Sequence, residues 1–316
     1  MKKPKIIPLV HQLTPSEVRA WKSALSVELS DYEIIEFDQL SGAQRDSAVV
    51  ALVANPNPAK LMSLSGLKWV QSLWAGVERM VSQLPDARLQ IARMIDPELS
   101  RTMSEAVLTW TLYLQRDMDR YQRNQAQKCW QPLAYRSPGD THVLILGLGE
   151  LGRVSAQRLA ANGYRVSGWS RSPKDITGIH CLSGKQSLLK EARSADILVN
   201  LLPLTSDTQG LINTDLLAQL PKGAKLINFG RGPSVDIDAL LYALNNGHLE
   251  HAVLDVFETE PLAPTSPLWD HAKVSVLPHI SAPTDTKTAS KIAAANIRRY
   301  FDSGVVPPFI SFDREY

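Results

Sequence analysis

The sequence predicts an α/β protein of two parallel-sheet domains, one inserted into the other. Three observations predict it. Short β-forming runs alternate with helical ones along most of the chain, a glycine-spaced turn follows one such run at VLILGLGELG (143–152), and a last amphipathic segment can lead the chain back to the first domain. With 316 residues and 44% apolar content, the chain can build two sizeable cores.

In chain order, KIIPLV, YEIIEF, SAVVALVA, LKWVQSLW and LQIARMI read as strands, separated by segments such as SEVRAWKSAL that read as crossover helices. The opening MKKPKIIPLVH begins basic, but Pro8 and His11 interrupt an apolar run too short for a signal peptide, so it reads as the first strand. From Ser104 to Gln125, Ala106, Val107, Trp110, Tyr113, Leu114, Met118 and Tyr121 recur at helical intervals, which predicts one long amphipathic helix into the next domain. The second block opens near Thr141 and continues through ADILVNLL, AKLINF, HAVLDV and KVSVLP. Asp285 to Phe301 predicts a closing helix with Ala289, Ile292, Ala293 and Asn296 on its packed stripe.

The glycine turn has a specific physical use. Val143 to Leu146 is a β-forming run, and RVSAQRLAANG behind the glycines has helical spacing, with Val154, Leu159 and Ala160 on one side and Asn162-Gly163 as its end. Gly147 permits a tight turn, Gly149 lets a pyrophosphate approach, and Gly152 lets helix and strand pack closely; Glu150 and Leu151 belong to the same turn. Free N–H groups and the helix dipole favour phosphate there. A lone GxGxxG also serves ordinary turns, but here a second strand, YRVSGWS, ends where a ribose-reading residue belongs.

An NAD site places an acid at that strand end. Here stands Ser170, eighteen residues after Gly152 (170 − 152), followed by Arg171 and Ser172. An acid repels a 2′-phosphate and the planar fork of Arg matches it, so NADPH is expected over NADH. The plainer alternative makes Arg171 a solvated turn residue before Pro173. The expected division is a Rossmann-like dinucleotide-binding domain over 105–283, set within a flavodoxin-like substrate domain of 1–104 and 284–316, with a cleft between them.

Composition narrows the partners. Lys and Arg total 34 against 32 Asp and Glu, a net charge of +2, so neither nucleic acid nor an anionic membrane is expected. Cys129 and Cys181 show no metal-like spacing, and no run reaches the length of a membrane span, which points to a cytoplasmic protein. His248 and His251 are three apart without further ligands nearby, so no metal is expected, and no Ser-His-Asp or Cys-His signature occurs.

Three further spots close predicted strands: NFGRG around Arg231, DVFETEPL around Asp255 and Glu260, and LPHISAPT around His279. A lone His is more often structural. Together, though, an Arg, a carboxylate and a His beside a nicotinamide suit carbonyl reduction. The oxygen that gains electrons needs a proton, which imidazolium supplies near neutral pH; a carboxylate orients the ring, and Arg holds the substrate's own carboxylate.

GLGELG, LLPLTSDTQGLIN, INFGRGPSVD, LDVFETEPL and LPHISAPT, in this order, resemble the NAD(P)-dependent D-isomer-specific 2-hydroxyacid dehydrogenases over most of the chain. WQPL (130–133), WSR (169–171) and SPLW (266–269) look most like the glyoxylate/hydroxypyruvate reductase branch, type A. The resemblance implies catalytic roles for Arg231 on the substrate carboxylate and carbonyl, His279 as proton donor and Glu260 as its partner. It implies that Asp255 meets the nicotinamide carboxamide and that Pro203, Thr208 and Phe229 lie in segments lining the cofactor. It further implies that LWAGVE holds the substrate carboxylate through the amides of Ala75, Gly76 and Val77, and that the protein is a homodimer. Trp74 and Pro283 stand where small residues are commoner in the family, and Trp74 is expected to wall the substrate pocket.

The leading expectation is therefore NADPH-dependent reduction of small 2-keto acids such as glyoxylate and hydroxypyruvate. Its rivals are a dinucleotide-sensing, corepressor-like binding protein and a 2-hydroxyacid dehydrogenase for a bulkier substrate. Corepressors of this fold carry partner grooves and extra tails, and a chain that closes at Tyr316 with the triad intact favours the enzyme.

Overall fold

Strands β1 (Lys5–His11), β2 (Tyr32–Glu36), β3 (Val50–Ala54), β4 (Trp69–Ser72) and β5 (Gln90–Ala92) form a parallel sheet in the order β2-β1-β3-β4-β5, the flavodoxin-like arrangement. They alternate with helices α1 (Pro15–Glu28), α2 (Gly42–Ser47), α3 (Pro58–Met62) and α4 (Glu78–Gln83). The computed structural model describes residues 5–84 and 89–310; Met1 to Pro4 of the first-strand reading lie outside the described residues. β3 reads VALVA and is buried at every position, as a strand covered on both faces must be. α1 starts where Thr14 and Glu17 cap each other reciprocally and Pro15 sets the first turn.

The chain continues through α5 (Pro97–Gln115) and α6 (Met118–Ala126) into a second parallel sheet. Its elements are β6 (His142–Leu146), α7 (Glu150–Ala161), β7 (Arg165–Trp169), β8 (His180–Leu182), α8 (Lys185–Ala192), β9 (Ile197–Asn200), α9 (Thr214–Leu217), β10 (Ala224–Asn228), α10 (Ile237–Asn245), β11 (Leu249–Leu254) and β12 (Val274–Val276). The strand order β8-β7-β6-β9-β10-β11-β12 reverses direction between β6 and β9. That is the doubly wound order of dinucleotide-binding sheets, extended by one strand. Helix α11 (Thr286–Ser303), capped by Asp285 and ended by left-handed Gly304, then packs on α1. The chain divides into two units, 1–98 with 284–316 and 99–283. No helix among the described residues is long and apolar enough to cross a membrane.

Five details differ from the sequence reading. The helix expected from Ser104 starts at Pro97, because the Asp96 carboxylate accepts from the Glu98 amide at 2.8 Å and caps it early. It also breaks: Asp117 is left-handed (φ 54°) and binds the Lys225 ammonium at 2.9 Å, while that ammonium also takes the Leu114 carbonyl. Met118 and Tyr121 therefore leave the stripe and are exposed. On α7 the buried face is Gly152, Ser155, Ala156 and Leu159 rather than Val154 and Ala160, since the face with no side chain at 152 is the one able to approach the sheet. On α11 the buried stripe is Ala289, Ser290, Ala293, Ala294 and Ile297, and Asn296 instead donates to Gln71 at 2.8 Å. β8, a three-residue edge strand, carries no period long enough to read in sequence.

Lys225 and Asp119, both buried, form a polar cluster with the half-buried Asp117, Arg123 and Glu250 that ties α6 to the sheet. His251, 4% exposed, sits beside it; its Nε2 meets the Ser275 hydroxyl at 2.9 Å. Burial, reinforced by Arg123 and Lys225, lowers its pKa from 6.5 to about 3, so the ring is neutral and its 3.7 Å approach to Asp119 is not an ion pair. The unfolded chain thus takes up a proton as pH falls below 6.5 that the folded protein refuses until about 3. Stability from this group is complete above that window and declines through it, by about 2 kcal/mol at pH ~5. Asp119 opposes this, because burial raises its carboxyl pKa and acid then favours its folded form. The expected result is a melting temperature that falls from pH ~7.5 to pH ~5 and a flatter profile in His251→Gln. An identical profile in the variant rejects His251 as the source.

Candidate active site

Val276, Leu254, Asn228, Asn200, Leu146 and Trp169 are successive register partners across β12, β11, β10, β9, β6 and β7. The strands are parallel, so the residues that follow this rung all leave the sheet at one edge. The segments singled out in the sequence, GLGELG, WSR, LLPLTSDT, NFGRG, DVFETEPL and LPHISAPT, begin there. Ligands of open α/β sheets bind at this carboxyl edge, beside the switch in strand order.

Between β6 and α7, Gly147 is left-handed (φ 99°), and a Cβ on it would lie 2.9 Å from the Leu201 carbonyl oxygen. A Cβ on Gly152 would lie 1.7 Å from the Gly147 oxygen, whereas one on Gly149 would meet nothing within 4 Å. The two outer glycines are thus demanded by the protein itself and the middle one is not. Gly149 also begins α7 without a side-chain cap, unlike Asp236 and Asp285 on α10 and α11, so the first amides face outward uncapped. This cradle fits a pyrophosphate. Glu150 pairs with Arg153 at 3.3 Å on the exposed side, and Leu151 is half-buried.

At the end of β7, Ser170 is buried; its hydroxyl donates to the Ser172 carbonyl at 2.8 Å and closes the turn that carries Arg171. The Arg171 guanidinium is half-exposed, 3.8 Å from the Asp207 carboxylate. After β9, Thr208 donates to the Pro203 carbonyl at 2.6 Å and accepts from the Thr205 amide at 2.8 Å. Phe229 is packed in the core with Leu148 and Leu201. Thr208 and Phe229 therefore shape the loops at this edge from within.

His279 and Glu260 are in direct contact, Nδ1 to Oε2 at 2.7 Å, and the other Glu260 oxygen accepts from the Phe257 amide at 2.9 Å. With Nδ1 donating to the carboxylate, Nε2 is the ring nitrogen left to exchange a proton. His279 has a left-handed backbone (φ 54°), which costs about 1–2 kcal/mol for a residue with a Cβ. Asp255 holds it so: its carbonyl accepts from the His279 amide at 3.0 Å, and its carboxylate oxygens accept from the amides of Ile280 at 2.7 Å and Ser281 at 2.9 Å. Arg231 is extended, with Nη1 donating to the Gly230 carbonyl at 2.7 Å. A Cβ on Gly230 would lie 2.7 Å from the Leu202 oxygen, and one on Gly232 2.1 Å from the Phe257 carbonyl carbon. The Arg231 backbone is therefore threaded between the loops after β9 and β11, against the loop that bears Glu260.

Residues 108–281 match the family described as D-isomer specific 2-hydroxyacid dehydrogenase, NAD binding domain. The chain belongs to this family. It is 37% identical over 284 residues to glyoxylate/hydroxypyruvate reductase A of Serratia proteamaculans, covering 88% of this chain and 90% of that protein. Among solved structures it resembles a D-isomer specific 2-hydroxyacid dehydrogenase from Xanthobacter autotrophicus Py2 in complex with NADPH and MES (TM-score 0.90, 36% identity, 98% of this chain and 99% of that one). It also resembles an NADPH-dependent glyoxylate/hydroxypyruvate reductase from Sinorhizobium meliloti in complex with NADP and sulfate (TM-score 0.89, 33% identity, 99% and 100%).

As a 2-hydroxyacid dehydrogenase the chain is an oxidoreductase with a nicotinamide dinucleotide as cofactor and small keto or hydroxy acids as substrates. In the first unit of this dehydrogenase, Trp74 is pinned by its own backbone: its amide meets the Ser72 hydroxyl at 3.1 Å, and its carbonyl accepts from Ser72 at 2.9 Å and from the Met94 amide at 3.0 Å. Its ring packs edge-on against Trp21, centroids 5.7 Å apart. Ala75 and Gly76 are half-buried, and Val77 is buried at the start of α4. Sequence reasoning missed Asn200, Asn228 and Ser234, all buried beneath the Arg231 loop. The available signal was an Asn closing each of two apolar runs, ILVN and LIN, where a buried amide needs a partner.

Proposed function

We propose that this dehydrogenase reduces glyoxylate and hydroxypyruvate with NADPH, as a cytoplasmic homodimer. When bound, the reduced nicotinamide supplies a hydride to the carbonyl carbon, leaving the oxidised cofactor and an alkoxide to be protonated. Arg231 binds the substrate carboxylate and polarises the carbonyl. His279 delivers the proton from Nε2 to the oxygen, and Glu260 orients the ring and balances its charge. Asp255 is assigned to the cofactor's carboxamide side, and the amides of Ala75, Gly76 and Val77 to the substrate carboxylate. Trp74 limits side-chain size. The 2.7 Å His279–Glu260 contact carries the reading, since a surface His has little reason to be held left-handed against a carboxylate. The relatives named as glyoxylate/hydroxypyruvate reductases support the substrate choice, and those bound to NADPH and NADP support the cofactor choice.

Arg171, following Ser170 where an NAD enzyme keeps an acid, is the proposed reader of the 2′-phosphate. The test is a panel of 2-keto acids of increasing side-chain size, each assayed with NADPH and NADH. Glyoxylate and hydroxypyruvate with NADPH are expected to be fastest, and Arg171→Ala to raise the KM for NADPH by ~10-fold or more with little change for NADH, as expected for loss of a charge-assisted phosphate contact. Equal rates with both cofactors in the parent, or an unchanged KM in the variant, overturn the cofactor choice. The homodimer is supported by Trp130, 98% exposed, and Tyr135, 66% exposed, on the extended segment after α6. Aromatic side chains so exposed suit an interface. Sedimentation at the mass of one chain rejects it.

A further inference from the structure

The Arg231 carbonyl is the meeting point of a buried side-chain network. Asn200 (0% exposed) uses both N–H groups, one to the Asn228 oxygen at 2.8 Å and one to the Ser234 hydroxyl at 2.7 Å, and its own oxygen accepts from the Leu202 amide at 3.2 Å. Asn228 (1% exposed) accepts a second bond from the Gly230 amide at 3.3 Å and donates to the Arg231 carbonyl at 3.2 Å. Ser234 (0% exposed) donates a hydrogen bond from its hydroxyl to the same carbonyl at 2.5 Å. Two side-chain donors thus converge on one backbone oxygen, which also accepts from the Ser234 amide at 3.3 Å.

Folding alone does not ask for this. The same rung of the sheet is filled by Leu146, Leu254 and Val276 on β6, β11 and β12, and Asn occurs only on β10, whose loop carries Arg231, and on β9, whose loop flanks it. A fully satisfied buried polar network specifies one geometry where apolar packing tolerates several. Here it fixes the backbone from which the guanidinium projects. The neighbouring glycines press the same segment against Leu202 and Phe257, and Nη1 closes on the Gly230 carbonyl.

We propose that Ser234, with Asn200 and Asn228, positions Arg231 for capture of the substrate carboxylate without touching the substrate. The inference rests on the reading of Arg231 as the carboxylate-binding residue. Ser234→Ala removes one side-chain donor from the Arg231 carbonyl and leaves a buried Asn200 N–H without its acceptor. The backbone at 231 gains freedom, and carboxylate affinity falls, while the dinucleotide turn between β6 and α7 contains none of the three network residues.

The test is a double-mutant cycle on Ser234→Ala and Arg231→Ala in the NADPH-loaded enzyme, read by calorimetric binding of oxamate, which carries a carboxylate beside a carbonyl that is not reduced. Ser234→Ala is expected to weaken oxamate by ~10-fold with the NADPH Kd within ~2-fold of the parent, and to add nothing once Arg231 is Ala. Ser234→Cys, which keeps the volume with a weaker donor, should fall between parent and Ser234→Ala, and it carries the same cycle should Ser234→Ala melt below the assay temperature. Parent-like oxamate affinity in the Ser234 variants, or the same loss with and without Arg231, overturns the positioning role alone. A parent that binds no oxamate, or Arg231→Ala binding it like the parent, overturns the carboxylate reading and this inference with it.

Discussion

His279→Asn and His279→Ala are expected to lower kcat for a 2-keto acid by roughly 10²- to 10⁴-fold, the span of a lost general acid, with the NADPH Kd unchanged. The Asn variant is the cleaner one. Position 279 is left-handed, and Asn tolerates that conformation better than Ala while its amide is too short and too weak an acid to replace imidazole. The amides of residues 279–281 remain tied to Asp255 in either variant, so the loop keeps its anchor. Glu260→Gln has one amide oxygen where Glu260 uses two, so it keeps either the acceptor for Nδ1 or the bond from Phe257 and removes the charge; its loss should still be smaller than that of His279→Asn, because the imidazole itself remains. Stopped-flow reduction separates the proton-coupled step from cofactor binding. A His279 variant as fast as the parent removes the imidazole from the mechanism, whatever the cofactor preference turns out to be.

The parts legible in the sequence are those where one local requirement leaves one residue type. Gly147 and Gly152 are readable because only hydrogen fits beside the Leu201 and Gly147 carbonyls. VALVA and HVLIL are readable because strands covered on both faces become unbroken apolar runs. Arg231, Asp255 and His279 stood at the ends of such runs, and the parallel register carries strand ends to one edge. What stayed hidden depends on partners distant in sequence. The break at Asp117 needs Lys225, more than a hundred residues on, and the value of Asn200 appears only once Asn228 and Ser234 lie beside it. The stripes on α7 and α11 were offset for a related reason: spacing shows that a helix has a packed face, but the neighbouring sheet decides which of two adjacent faces it is.

Gly152→Ala is expected to damage both stability and dinucleotide binding, and comparison with Gly149→Ala separates the two demands. At 152 the added methyl would sit 1.7 Å from the Gly147 oxygen and 2.8 Å from its carbonyl carbon, so a separation of about 1.3 Å (3.0 − 1.7) must open between backbone atoms. Neither side yields easily. Gly147 is fixed by its N–H, which donates to the Trp169 carbonyl at 2.8 Å, and by the Leu201 carbonyl on its other flank, and α7 is seated through Ser155, Ala156 and Leu159. Overpacking of this kind costs about 1–3 kcal/mol, and moving α7 also displaces the uncapped amides proposed to receive the phosphates. At 149 the methyl would touch no protein atom within 4 Å, so Gly149→Ala should melt like the parent. It should nonetheless weaken NADPH if, as proposed, the space it fills is where the pyrophosphate approaches the backbone. Thermal melts paired with fluorescence titration of NADPH read both quantities. Gly149→Ala with parent affinity would move the phosphates off this turn, and Gly152→Ala with parent stability would mean that α7 and β6 are packed less closely than described.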